Sequence, residues 1–434
     1  MPFSGGGILT FYRLLLPLLA RNGHSIRVVL GSGVFAQELT QAEVIEGVQI
    51  EALEADRFRR HFARFEHLAA MPGLRRHLAG AWALWEQALE GGDADIIEAC
   101  DWGLLFVPPV IGSSCPVITQ MHGSVGQIHA HDPIAGEDGQ GIFMQMLETA
   151  VLRRSSGVQT LSQANASFWR QQTGRSVDVI LPCWAPAAAQ AREEGGNIGL
   201  VVGRVQRWKG PQVLCEALSL LGSRAPAIEW YGRDTDAGEK GKSYSRTLAE
   251  RYPSIWGPLI QHRPPVPPET VAELQKRARF VVIPSTWDVF NFTCVEAMAA
   301  ERPVICSTGA GASELIEDGV NGFVFENEKA EALASALDRV LSLSKAQAAE
   351  IGKAARATVE TKLDPQRIAN QRLEAYARAI KEFTPSPAKQ GDWLVDACSA
   401  CDTNSGELAF LDHLPLRPLL GYAARRFAKK IGRR

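Results

Sequence analysis

The chain has 434 residues, 46% of them hydrophobic and 22% charged, with a formal net charge of −2. That make-up suits a globular protein with two cores and excludes a disordered or collagen-like chain. Six cations and no acid fill the last ten residues, RRFAKKIGRR, leaving 40 basic against 48 acidic residues elsewhere; an acidic body without a recognition motif argues against nucleic acid as a partner.

The chain opens on a glycine-rich loop, MPFSGGG. Such a loop normally follows the first, central strand of a doubly wound sheet. The first domain is therefore read as lacking its first strand, with the native start expected upstream. A helix at Ile8–Arg21 follows. Arg13 interrupts its apolar run, no basic residue precedes it and no small-residue cleavage site follows, so it is an amphipathic helix and not a signal peptide. Strands are predicted at Ser25–Leu30, Ala94–Glu98, Val117–Gln120, Gly157–Leu161 and Val177–Leu181. Alternation with helical stretches predicts βαβ units and a parallel sheet over residues 1–182. Residues 183–197, rich in Ala, Pro, Gly and charge, read as a linker.

The alternation restarts over 198–364, with strands at Ile198–Val202, Ala227–Tyr231, Leu259–His262, Phe280–Ile283 and Pro303–Cys306. Helices at Lys329–Leu341 and Lys345–Lys362 close this half. A further helix within 365–383 is expected to cross back to the first domain. Residues 384–434 read as a partly disordered tail with a basic end. No uncharged apolar run reaches the roughly 18 residues of a membrane-spanning helix. The eight cysteines are too scattered for a disulfide framework. Cys398 and Cys401 form a lone CxxC without a second ligand pair, so no metal site is expected.

Four loops carry candidate chemistry. LVVGRVQRWKGPQVL places Arg204, Arg207 and Lys209 between an apolar strand and a helix starting near Pro211. Cations there make either an anion site or a solvated basic loop. PSTWDVFNFTCVE follows Phe280–Ile283. The backbone N–H groups of Asn291, Phe292 and Thr293 would face a phosphate at the next helix's start. Asp288 is placed to accept sugar hydroxyls. Glu296, read in the helix's first turn, either serves a ligand or merely answers the helix dipole. In the opening loop, Gly6 and Gly7 permit close backbone approach or form an ordinary tight turn. His122, after VITQ, either meets a substrate or is structural.

Together, GRVQRWKG, PSTWDVF…VE and ERPVICSTGAGASELIEDGVNGFVF resemble the retaining glycosyltransferases of family 4. The resemblance is strong over about Ile198–Leu341, weaker over the first half, and does not reach the tail after Phe383. It implies a GT-B fold, an α/β architecture of two Rossmann-like domains facing across a cleft. It also implies transfer of a sugar from a nucleotide diphosphate donor with retention. Arg204 and Lys209 match the family's basic pair on the diphosphate. Asp288 and Glu296 match the ends of its E-x7-E motif, which hold the donor sugar and the ribose. Gly6 and Gly7 would lie near the diphosphate and acceptor, and His122 would touch the donor sugar. Family members generally need no metal or other cofactor. Asp288 stands where the usual residue is Glu, and Val289 and Asn291 where the family often has glycine.

Two segments mix arginine with aromatic residues: Arg57–Arg76 and the C-terminal LLGYAARRFAKKIGRR. Both read as basic amphipathic surfaces for an anionic membrane, or as solvated charge. The expected protein is a cytoplasmic transferase, peripheral on the inner face of the membrane, acting on a glycan or lipid-linked acceptor. Competing readings are a nucleotide-sugar epimerase of similar shape and a nucleotide-sugar-binding pseudoenzyme.

Overall fold

Short β-branched runs bounded by glycine or proline become buried parallel strands, and the amphipathic stretches between them become the covering helices. The computed structural model describes residues 6–35, 45–132, 138–185, 198–236, 241–385 and 416–431. In the first half the strands are β1 (Ile26–Phe35), β2 (Val48–Leu53), β3 (Ile97–Cys100), β4 (Val117–Gln120), β5 (Gly157–Thr160) and β6 (Asp178–Val179). Its helices are α1 (Gly7–Arg21), α2 (Ala55–Arg64), α3 (Pro72–Leu89), α4 (Val107–Gly112), α5 (Val125–His131), α6 (Asp138–Leu152) and α7 (Gln163–Thr173). The strands form two sheets, β1-β2 and β3-β4-β5-β6.

The second half contains β7 (Gly199–Val202), β8 (Ile228–Tyr231), β9 (Ile260–Arg263), β10 (Phe280–Ile283), β11 (Val304–Ser307) and β12 (Phe323–Phe325). They form one six-stranded sheet in the order β12-β11-β10-β7-β8-β9, with every pairing parallel. Counted from β7, this is the doubly wound Rossmann order, and its switch point lies between β7 and β10. The covering helices are α8 (Pro211–Leu221), α9 (Tyr244–Arg251), α10 (Pro268–Arg277), α11 (Phe292–Ala299), α12 (Ala330–Leu341) and α13 (Lys345–Lys362).

Helix α14 (Pro365–Glu382) packs against α1 and β4 of the first half. Arg372 is fully buried there, donating to Gln120 at 2.8 Å, Gln159 at 3.0 Å and Glu98 at 3.2 Å. Most of the expected linker, residues 186–197, lies outside the described residues, as do Cys398 and Cys401. At its start, Cys183 is buried and the Trp184 N–H donates to the Leu363 carbonyl at 2.8 Å. The end of the tail is a helix, α15 (Leu416–Ile431).

The Arg57–Arg76 segment is not a free basic surface. Arg57 is paired with Glu54, Glu86 and Glu90. Arg59 and Arg60 pair with Asp56 and Glu86. Phe65 is buried, and Arg75 lies over the Phe62 ring at 3.9 Å. Of these acids, Glu54 and Asp56 directly precede the segment, while Glu86 in α3 and Glu90 just after it lie too far along the chain to be seen in the segment itself.

Candidate active site

The loops after β7 and β10 leave the sheet side by side at its switch point, where doubly wound sheets bind ligands. Gly210 permits their approach, and Gly309 brings the loop after β11 against the loop after β10. Gly210 has φ +72°, and a Cβ there would lie 1.8 Å from the Pro284 carbonyl oxygen. A Cβ on Gly309 would lie 2.5 Å from the Thr286 oxygen. The backbone then joins the loops, with the Thr286 N–H donating to the Trp208 carbonyl at 2.9 Å.

Lys209 and Asp288 meet between these loops. Lys209 Nζ donates to Asp288 Oδ2 at 2.5 Å, and both side chains are largely shielded. The ammonium also lies 4.4 Å from the Trp208 ring centroid, a cation–π contact. Arg204 is exposed and has no ion pair among the described residues. A small cavity behind the pair is lined by Gly203, Lys209, Pro284, Ser285 and Asn291.

Asn291 is the N-cap of α11. Its side-chain oxygen accepts the Cys294 N–H at 3.2 Å, while its amide donates to Asp288 Oδ2 at 2.9 Å. Its φ of +89° lies in the region that favours glycine. Because Asn291 takes only the third N–H of the helix, those of Phe292 and Thr293 stay outside the helical ladder and point toward the loop. Across the cleft, Gly6 is the N-cap of α1. A Cβ on Gly7 would meet the Phe292 ring at 3.4 Å. The glycine loop and the start of α11 are therefore neighbours, although 285 positions separate Gly7 from Phe292.

Glu296 departs from the sequence expectation. Helix α11 begins at Phe292 and has no acid in its first turn, so Glu296 lies one turn further in and is not an N-terminal charge cap. Burial raises its carboxyl above the ordinary range, opposed by the Gln275 amide 3.5 Å away. Gln275 is itself buried on α10, and nothing in the local sequence signals its role.

His122 lies against α1. Its ring packs edge-on against Phe11 at 4.8 Å and Tyr12 at 5.8 Å, both from α1. Its buried Nε2 has no partner among the described residues. Burial, with Arg372 adding to it, lowers its pKa to about 3, so the ring is neutral. The following Gly123 faces the second half, with the Trp287 ring 3.2 Å from where its Cβ would be. Two buried acids hold this loop. Asp101 accepts the His122 and Gly123 N–H groups at 2.8 and 3.0 Å. Glu148 accepts the Ser124 hydroxyl at 2.7 Å and the Gly126 N–H at 3.0 Å.

Further contacts cross between the halves. His131 stacks on Trp287 with ring centroids 4.6 Å apart, and Gln206 donates to Asp132 at 2.7 Å. Glu314 accepts the Gln163 and Ala164 N–H groups at 2.8 and 2.9 Å, capping α7 from the opposite half. A Cβ on Gly311 would meet the Val289 oxygen at 2.2 Å and Ser162 Cβ at 2.6 Å. The sequence marks the glycines, but not their cross-domain neighbours.

Residues 186–358 match the family described as glycosyl transferases group 1. The D-inositol 3-phosphate glycosyltransferase of Arthrobacter sp. (strain FB24) is 30% identical over 215 residues, 49% of this chain. The match spans about half, 50%, of that relative's length. Sucrose-phosphate synthase from Thermosynechococcus elongatus superposes with a TM-score of 0.65 at 21% identity, covering 87% of this chain and 95% of its own. Anabaena HepE, solved with UDP and glucose, superposes with a TM-score of 0.65 at 18% identity, covering 86% of this chain and 97% of its own. These likenesses extend over both halves and identify the two-domain α/β arrangement as the GT-B fold. The match to the glycosyl transferases group 1 family lies on the half that carries the switch-point loops.

Proposed function

We propose that the protein is a retaining, family 4 hexosyltransferase that moves a sugar from a nucleoside diphosphate sugar to a glycan or lipid-linked acceptor. The observation that carries this reading is the meeting of Lys209, Asp288 and the α11 N-terminal cap Asn291 at the sheet's switch point, with Arg204 on the same loop as Lys209. Cations and unpaired N–H groups at one spot fit a diphosphate. Glu296, one turn into α11, would take the ribose, and Asp288 the sugar. The neutral His122 and the Gly6-Gly7 loop would border the sugar from the other half. HepE, whose structures contain UDP and UDP-glucose, supports a nucleotide sugar as donor.

In the proposed reaction Arg204 and Lys209 stabilise charge on the departing diphosphate, without a metal or other cofactor. The acceptor hydroxyl attacks the anomeric carbon from the face the diphosphate leaves, and the leaving phosphate oxygen receives its proton. The Asp288–Glu296 pair serves binding, so no protein nucleophile is required.

The test is turnover of a nucleotide-sugar panel with and without glycan and lipid-linked acceptors. Turnover requiring an acceptor is expected, and Lys209→Ala and Glu296→Ala should each reduce it at least about tenfold. Donor conversion without acceptor would favour an epimerase. Donor binding without transfer would favour a pseudoenzyme, and near-normal activity in both variants would overturn the site assignment.

We also propose that the enzyme works at the cytoplasmic face of an anionic membrane, with α15 as its contact. No helix among the described residues is long and apolar enough to cross a membrane. Leu416, Leu420, Phe427 and Ile431 are exposed and share one face of α15. Arg425, Arg426, Lys429 and Lys430 occupy the remainder, complementary to anionic headgroups.

A further inference from the structure

The Asp288 carboxylate is engaged in the structure. Lys209 Nζ and the Asn291 amide both bond to the same oxygen, Oδ2, at 2.5 and 2.9 Å. Asn291 cannot turn aside freely, because its own oxygen caps α11 through Cys294. It is held at φ +89°, a conformation that glycine would adopt without strain. Nor can the loops slide apart easily, because the Trp208 carbonyl takes both the Thr286 and Trp287 N–H groups. The Lys209 and Asp288 side chains are only 20% and 14% exposed. Water therefore screens the pair less than it would a surface ion pair.

We propose that Asp288 is an internal rival of the nucleoside diphosphate for Lys209, and that partner exchange makes the site prefer a nucleotide sugar to a bare nucleoside diphosphate. The proposal rests on the nucleotide-sugar reading above. A diphosphate carries more charge than one carboxylate and also reaches Arg204 and the α11 N-terminus, so it can take Lys209 from Asp288. The released carboxylate stays beside the phosphates, where it is costly unless something satisfies it. Hydroxyls of an attached sugar supply that partner, and a bare diphosphate does not. The Asn291 amide keeps the carboxylate near Lys209, where a glycine would leave it untethered. Asp288 and Asn291 thus act together on donor selection and on release of the spent nucleotide. The reaction proposed above is unchanged, with no additional bond made or broken.

Calorimetric titration of the full chain with UDP, ADP and GDP tests this. The nucleotide that binds best is carried through a cycle of Asp288→Asn, Lys209→Ala and the double variant. Asp288→Asn should tighten the bare diphosphate at least about fivefold, since that is the upper end of what even a solvent-exposed ion pair is worth. In the Lys209→Ala background the same change should alter affinity less than about twofold. Asn291→Gly, which the positive φ accommodates, should tighten the diphosphate by a smaller factor, with melting temperature confirming the fold. Unchanged or weaker binding by Asp288→Asn would overturn the proposal. Equal tightening without Lys209 would also do so, since it would show a general field effect and not an exchange of partners. Failure of all three nucleotides to bind at millimolar concentration would overturn the nucleotide-sugar reading as well, a result distinct from binding that Asp288→Asn leaves unchanged.

Discussion

Glu148 carries its hydrogen bonds to Ser124 and Gly126 while wholly buried. Burial pushes its pKa up to about 8, against the lowering effect of those bonds. In the unfolded chain the acid ionises near its ordinary value, so between about pH 4.5 and 8 the folded state keeps a proton that the unfolded state releases. Its contribution to stability is therefore full below pH 4.5 and is lost as pH rises through 8. Glu148→Gln can still offer a carbonyl to the Gly126 N–H and removes this titration. Thermal melts at pH 5.5 and 8 should show a smaller fall in melting temperature for the variant. An undiminished fall would refute the assignment. Asp101, raised to about 7 by burial, preserves part of the slope. None of this is visible around VITQMHGS. The sequence marks His122 as a residue at a strand's end, but the rings and acids around it come from α1, α6 and the loop after β3.

At the scale of elements, β4 and β10 fall where their apolar runs place them, and α13 between its predicted ends. Those segments are bounded by prolines, glycine or serine caps, which act locally. The unpredicted β2 and β12 have weak patterns of their own and gain their form from pairing with β1 and β11. Helix α11 starts one residue earlier than expected because the Asn291 side chain caps it, and this shift changes the meaning of Glu296. For α15 the sequence pattern and the structure agree on an apolar stripe beside basic residues. Phe427 and Ile431 are 69% and 60% exposed, so the stripe is not used within the described fold. The full chain should co-sediment with phosphatidylserine vesicles at low salt and be released at high salt. A chain ending at Pro415 should lose this binding. Equal binding by the shortened chain would remove α15 from the membrane proposal.

At the scale of the molecule, α14 ties the halves together through Arg372, which is 0% exposed and sits 4.5 Å from the Phe11 ring centroid. Tyr376, from the same helix, also donates to Glu98. Arg372→Met should cost roughly 3–5 kcal/mol, because it leaves the shielded Glu98 charge without its cation. The urea midpoint should fall accordingly, and adding Glu98→Gln should recover part of the loss. A shift equivalent to less than about 1 kcal/mol would show that the pair is dispensable.

By itself the sequence determined the element types, their parallel alternation and the chemistry of the loops at the second sheet's strand ends. Those features depend on residues within a few positions of one another: apolar strand runs, glycine turns and cations beside helix starts. The tertiary structure alone decided which groups those loop residues meet. Lys209 and Asp288 stand 79 positions apart, and only the strand order brings β7 beside β10 so that one carboxylate oxygen receives both Lys209 and Asn291. Periodicity reports which face of an element is buried, but not which distant side chain lies against it.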